Sequence, residues 1–93
     1  MQTLTGTFNT ENGGKYLQQL CKHFGHKVAA QWSEDRGTVS FEFGETVFEA
    51  TKSALTVSID LNDTKATDLA KGVIDRHLER FAFREDFKNM AWS

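Results

Sequence analysis

One thiol and two imidazoles lie close together in the first half of the chain. Cys21, His23 and His26 fall within six residues, and thiolate and imidazole are common ligands of zinc and other transition metals. On a helix that turns by about 100° per residue, however, the side chains of Cys21 and His23 point about 160° apart. Cys21 is also the only cysteine of the sequence, so no cysteine pair completes a four-ligand set. We therefore predict no metal site here and expect Cys21 to be a small buried hydrophobe.

His77 is the third histidine, and it falls in the middle of an apolar stripe with helical spacing. An imidazole in a core needs a partner for each ring nitrogen, so one interpretation is a satisfied core histidine. The other is a ligand or general base at the edge of a pocket. Arg76, Arg80 and Arg84 recur every four residues nearby, but acidic residues alternate with them, which is more typical of a solvated, ion-paired face than of an anion site.

The composition excludes several function classes. The 11 basic residues face 13 acidic ones, which disfavours a nucleic-acid partner because phosphate backbones attract a basic excess. No run approaches the roughly 18 to 20 apolar residues of a membrane span, and the N-terminus lacks the basic start and apolar run of a signal peptide. We expect a cytoplasmic protein with no membrane partner. Neither a nucleophile elbow nor a phosphate-binding glycine loop is present, and no cofactor follows from the sequence.

The 93 residues, 39% of them hydrophobic, predict a single domain over residues 1–93. Alternating apolar residues indicate strands, and spacings of three and four indicate helices. The predicted strands cover 2–9, 28–32, 38–43, 46–51 and 55–61, and the predicted helices cover 13–25 and 66–81. Residues 10–12 are expected to cap the first helix and residues 62–64 the second.

The order β-α-β-β-β-β-α predicts an α+β fold. Short connections favour a mainly antiparallel sheet, and the apolar stripes of two helices would cover one of its faces, which gives a two-layer sandwich. Residues 84–93 form a charged tail that contains Phe87, Met90 and Trp92. Apolar residues in a tail usually dock, and the pattern leaves open whether this tail is a helix, a hook or the arm of a homodimer.

Two strings of sequence resemble a known family. They are LCKHFGHKV at residues 20–28 and HLERFAFRE at residues 77–85, and they are similar to the bacterial domain-of-unknown-function family 2218. The likeness covers essentially the whole chain. It implies a small bacterial protein without an established activity, some of whose relatives are found beside or fused to siderophore-interacting and iron-uptake proteins.

The resemblance also directs attention to the ends of the two predicted helices. If these ends lie side by side over the sheet, the candidate ligand-binding residues are His23, His26, His77, Arg80, Arg84, Phe24 and Phe81. Such a site would suit an anionic or metal-chelating small molecule, because arginine forms paired hydrogen bonds with carboxylates and imidazole can take a metal.

Three functions remain open at this point. The favoured one is a non-catalytic small-ligand or iron/siderophore-linked accessory protein. The second is a homodimeric structural or interaction module that associates through the aromatic tail. The third is an enzyme that uses His77 as general base and Arg84 as an anion clamp.

Overall fold

The computed structural model describes residues 2–85, 87 and 89–93, and Met1, Asp86 and Lys88 lie outside the described residues. Within the described residues the chain forms six strands, two α-helices and two 3-10 turns. In chain order the strands and α-helices are β1 (Gln2–Asn9), α1 (Gly13–Phe24), β2 (Ala30–Trp32), β3 (Arg36–Phe41), β4 (Gly44–Ala50), β5 (Ala54–Leu61), α2 (Thr67–Phe81) and β6 (Ala91–Trp92). The 3-10 turns are Thr64–Ala66 and Phe83–Glu85.

The strands form one sheet in the order β2-β3-β4-β5-β1-β6, and each pair of neighbours is antiparallel. Helix α1 carries the chain from β1 to the far edge at β2, and the meander β2 to β5 returns it to β1. Strand β5 pairs with one side of β1, and β6 pairs with the other. This architecture confirms the predicted α+β sandwich. Alternation of residues could not supply the strand order, since it fixes only which side chains share a face.

One face of the sheet is apolar and is covered by the helices. The strands supply Leu4, Val39, Phe48, Leu55, Val57, Ile59 and Leu61, and the helices supply Tyr16, Leu17, Leu20, Cys21, Phe24, Ala70, Ile74 and Leu78. All of these side chains are buried. Neighbouring residues on the strands, such as Thr56 and Ser58 of β5, point to the opposite face, which is rich in threonine, serine and acidic residues. The alternating apolar residues of β5 therefore face the core, as predicted.

Strand boundaries differ from the predicted ones around residue 43. The structure ends β3 at Phe41 and begins β4 at Gly44, so Phe43 lies in the connection. Gly44 has φ 148°, a conformation that favours glycine, and a Cβ there would collide with the carbonyl oxygen of Asp60. The turn therefore depends on this glycine, and Phe43 is buried from a loop and not from a strand.

Both helix starts use side-chain oxygens, although the first does so differently from the prediction. Asn12 occupies the N-cap of α1 without a side-chain cap bond; its backbone N–H donates to Thr10 Oγ1 at 3.0 Å. Asp63 accepts from the backbone N–H of Lys65 at 3.0 Å and so caps the 3-10 turn that leads into α2. None of the described helices has the length and hydropathy required to cross a membrane.

The C-terminal tail docks on its own chain. Phe87 is buried, with its ring edge-on to Phe8 at 4.6 Å between centroids. Met90 is buried as well, and Ser93 exchanges backbone hydrogen bonds of 2.8 and 3.0 Å with Thr5 at the β1–β6 edge. The sequence predicted no strand here, because two paired residues are too few to show alternation.

Two carboxylates fasten this tail. Asp75 on α2 accepts from the backbone N–H of Met90 and from Trp92 Nε1, each at 2.9 Å. The Trp92 ring lies flat against β1, where a Cβ on Gly6 would come within 2.8 Å of it. The polar partners and the close backbone approach thus hold the tail within the fold, so its aromatic residues pack on the parent chain.

The second carboxylate, Glu85, is surrounded by donors from the other end of the chain. It accepts from Thr10 Oγ1 at 2.7 Å, from Asn12 Nδ2 at 3.2 Å and from the hydroxyl of Tyr16. Burial alone would raise the pKa of Glu85, but these donors and the charge of Lys15 outweigh it and lower the pKa below the ordinary value of 4.5. Burial and the Glu85 hydrogen bond raise the pKa of Tyr16 to about 12.

Candidate functional site

A cleft of about 310 Å³ opens between the C-terminal end of α1, the side of α2 and the end of β3. Its volume lies at the lower end of the range of small-molecule sites. It is lined by His23, Phe24, Lys27, Val28, Phe41, Glu42, Phe43, Leu69, Val73 and His77. The lining is therefore mostly aromatic and aliphatic, with a few polar groups.

Three phenylalanines form one wall of the cleft. The rings of Phe41 and Phe43 stack at 4.7 Å between centroids, and Phe24 meets Phe41 edge-on at 4.8 Å. Phe43 can join this cluster because the turn before Gly44 directs it back toward the core. The rings offer a flat apolar surface against which a ligand ring or alkyl chain can pack.

A pair of imidazoles borders the phenylalanine wall. The ring centroids of His23 and His77 are 4.9 Å apart, and the His77 centroid is 4.8 Å from that of Phe24. His77 Nδ1 lies 2.6 Å from the carbonyl oxygen of Val73, four residues back on α2. Because a carbonyl only accepts, Nδ1 must carry the proton, and neutral His77 then keeps Nε2 as an acceptor.

The electrostatics around His23 favour its neutral form and would attract an anion. Burial lowers the pKa of His23, and the neighbouring basic groups of His77, Lys27, Arg80 and His26 lower it further when they carry positive charge. The surroundings of His23 are thus electropositive. An arriving negative group would be attracted by this field and would stabilise the imidazolium form.

Comparison with known sequences identifies the family. A family model described as "Uncharacterized protein conserved in bacteria (DUF2218)" matches residues 5–93. The chain belongs to the DUF2218 family. The resemblance noted from the two strings is thereby confirmed, and a search of curated proteins gives no match.

A solved structure shares the DUF2218 fold seen here. The chain is similar to the NMR structure of PA4090 from Pseudomonas aeruginosa, with 27% sequence identity and a TM-score of 0.80. The similarity covers 100% of this chain and 96% of that one. Neither the family description nor the name of the PA4090 structure gives an activity.

The structure of this DUF2218 chain brings together three of the seven predicted site residues. His23, Phe24 and His77 line the cleft. Phe81 is half-buried behind it, with its ring 6.2 Å from His23. The helix ends do lie side by side, as the site hypothesis required.

The other three predicted residues lie outside the cleft. His26 is exposed beyond the end of α1. Arg80 is exposed and lines a neighbouring groove on α2 together with Arg76, His77 and Glu79. Arg84 is exposed in the last 3-10 turn, with its guanidinium 5.7 Å from the ring centre of Phe83. None of these three side chains lines the cleft.

Sequence reasoning missed the residues that β3 and the following turn contribute. Phe41, Glu42 and Phe43 are distant from His77 in sequence and line the same cleft because α2 packs over this end of the sheet. Leu69, which also lines the cleft, could have been found from the sequence, because it belongs to the apolar stripe of α2. It is 57% exposed at the mouth of the cleft, which marks a place where the stripe extends beyond the core.

The cleft offers few protein ligands for a metal. Among the described residues, no group of three or more His, Cys, Asp or Glu side chains is placed to hold an ion. Cys21 is fully buried in the core, and burial raises the pKa of its thiol to about 11. It is therefore an apolar packing residue that does not reach His23 or His77.

Proposed function

We propose that this DUF2218 protein is a non-catalytic binding protein for a small molecule with an apolar body and an anionic or metal-chelating group. The observation that supports this function is the imidazole pair at the border of a phenylalanine-lined cleft. His23 and His77 are 4.9 Å apart there. Sites for small ligands commonly combine such apolar walls with a few convergent polar groups.

Each part of the cleft has a distinct task in this proposal. The wall of Phe24, Phe41 and Phe43 would cover the apolar body, with a gain of roughly 25 cal/mol for each Å² removed from water. The anionic group would lie against the imidazoles and be approached by the Lys27 ammonium at the rim. Hydrogen bonds to charged groups contribute about 1.5 to 3 kcal/mol each, so the polar end would set specificity.

A more specific form of the proposal is that the ligand is iron or a siderophore. It is motivated by what the family resemblance implies about neighbouring iron-uptake proteins and by the chemistry of imidazole. Because no three His, Cys, Asp or Glu side chains of the described residues are placed to hold one ion, a chelator would have to provide most of the iron ligands. A ferric catecholate would then combine the flat ring, the negative charge and the metal.

The test uses probes that separate these features. Salicylate has an aromatic ring and a negative charge, salicylamide has the same ring and is neutral in its side group, and 2,3-dihydroxybenzoate adds the catechol group of a catecholate siderophore. Each is titrated into the isotopically labelled protein, with backbone amide shifts as the readout. We expect salicylate to shift the amide signals of His23, Lys27, Phe41 and His77. We expect salicylamide to bind at least about tenfold more weakly than salicylate.

Iron is then added to the 2,3-dihydroxybenzoate sample. Line broadening confined to the cleft amides would support the siderophore form, since paramagnetic iron broadens nearby signals. Salicylate binding without any response to the ferric complex would overturn that form and retain the binding function. If none of the three probes shifts the cleft amides at millimolar concentration, the proposed function is wrong.

A further inference from the structure

Strand β2 forms one outer edge of the sheet and is a second candidate binding surface. Strand β2 pairs with β3 on one side, and among the described residues no strand pairs with its other side. Ala30, Gln31 and Trp32 carry neither charge nor proline, which are common means of blocking a sheet edge. Trp32 is 43% exposed there.

The ladder shows which backbone groups face outward. Ser40 donates to the carbonyl of Ala29 at 3.0 Å, and Ser33 donates to that of Arg36 at 2.7 Å. Since hydrogen-bonded residues alternate along an antiparallel pair, positions 29, 31 and 33 bond to β3. The N–H and C=O groups of Ala30 and Trp32 therefore point away from the sheet.

This arrangement is complementary to itself. If two copies of β2 run antiparallel about a two-fold axis at Gln31, Ala30 of each copy lies opposite Trp32 of the other. The outward groups of these residues then exchange four hydrogen bonds. On the face that carries the helices, the exposed indole of Trp32 packs beside the small Ala30 of the second copy, which removes apolar surface from water.

The charges at the two ends of β2 match the same register. His26 and Lys27 precede the strand, and Glu34 and Asp35 follow it in the turn. Antiparallel pairing about Gln31 brings the basic end of each copy toward the acidic end of the other. A parallel arrangement would instead bring like charges together, which is unfavourable.

From these features we infer that β2 is a self-association surface, through which two copies of this chain form a continuous antiparallel sheet centred on Gln31. The surface differs from the aromatic tail, whose residues pack on their own chain. The outward groups of Ala30 and Trp32 do not line the cleft, so self-association can be tested separately from ligand binding.

The test exploits the fact that Gln31 would face its own counterpart across the axis. Gln31→Lys and Gln31→Glu are prepared separately and as a mixture, and masses are measured by light scattering and by sedimentation over a range of concentrations. We expect the native protein to approach twice the 10.5 kDa chain mass. Each variant alone should associate about tenfold more weakly because like charges face each other, and the mixture should regain the native affinity.

Matched substitutions at the other edge of the sheet provide the control. Ala91 is exposed on β6, so Ala91→Lys and Ala91→Glu add the same charges without touching β2 and should leave the mass unchanged. Circular dichroism verifies that each variant is folded.

Three results would overturn the inference. One is a native protein that stays at the chain mass at every concentration, which would leave the edge to a strand of another protein. Another is a dimer that the Gln31 variants do not weaken. The third is a mixture that fails to restore association although both variants are folded.

Discussion

Replacing His77 by phenylalanine separates a binding role of this residue from a packing role. The imidazole is half-buried, and its Nδ1 donates to the carbonyl oxygen of Val73 at 2.6 Å. Phenylalanine keeps a ring of similar shape at the same place. It removes both the hydrogen bond to Val73 and Nε2, which donates to an anionic ligand group when that group stabilises the imidazolium form.

The cost to stability follows from what remains bonded. Val73 lies inside α2, where each carbonyl accepts the backbone N–H four residues later, so its oxygen is not left without a donor. The loss is then one side-chain hydrogen bond, about 0.5 to 1.5 kcal/mol, and the larger apolar ring offsets part of it. We expect the free energy of unfolding to change by at most about 1 kcal/mol.

The effect on binding should be larger. A hydrogen bond to a charged ligand group contributes about 1.5 to 3 kcal/mol, so salicylate affinity should fall roughly 10- to 100-fold. Urea unfolding followed by circular dichroism measures stability, and amide shifts measure affinity. His26→Phe is the matched control, because His26 is exposed outside the cleft and its replacement should change neither quantity.

Either of two outcomes would refute this reasoning. A loss of more than about 3 kcal/mol in the His77→Phe variant would identify His77 as a core residue, since that cost belongs to disrupted packing or buried polar groups. An unchanged salicylate affinity in a stable variant would show that the ligand does not use this imidazole.

Three further predictions concern the carboxylates and the buried thiol. Glu85→Gln should lower the free energy of unfolding by about 1 kcal/mol at pH 7. Because the native pKa of Glu85 lies below 4.5, the stabilisation by its charge is present above that value and is lost as pH falls through the native pKa. The urea midpoints of variant and native protein should therefore converge in acid, and a constant difference would contradict the role of the charge. Asp75→Asn can accept only one of the two hydrogen bonds from Met90 and Trp92, so we expect a loss of about 1 to 3 kcal/mol and faster amide exchange at Ser93; unchanged exchange would contradict the fastening role. The pKa of Cys21 is raised from 9.0 to about 11, so its contribution to the free energy of unfolding is intact below pH 9, and about 3 kcal/mol of stability is lost as pH rises through 11. Cys21→Ala should flatten this alkaline decline in urea midpoints. An equally steep decline in the variant would assign the loss to other groups.

Local patterns in the sequence determined the elements of this fold. Alternation of Leu55, Val57, Ile59 and Leu61 identified β5 and its buried face, and the three-and-four spacing of Tyr16, Leu17, Leu20 and Phe24 identified α1; the structure confirms both. These predictions succeed because side-chain direction repeats with the geometry of each element. The sequence also predicted the α+β class, and its two strings predicted the family that comparison confirms.

The tertiary structure decided the strand order and the composition of the cleft. The pairing of β1 with β5 and the extension of the sheet by Ala91–Trp92 depend on contacts between residues far apart in the chain. The same is true of the cleft, where Phe43 enters from a turn enabled by Gly44 and meets His77 of α2. Periodicity predicted that His77 faces inward, but only the packing of α2 over the sheet shows that it faces a cleft, because a local pattern carries no information about what an apolar stripe packs against.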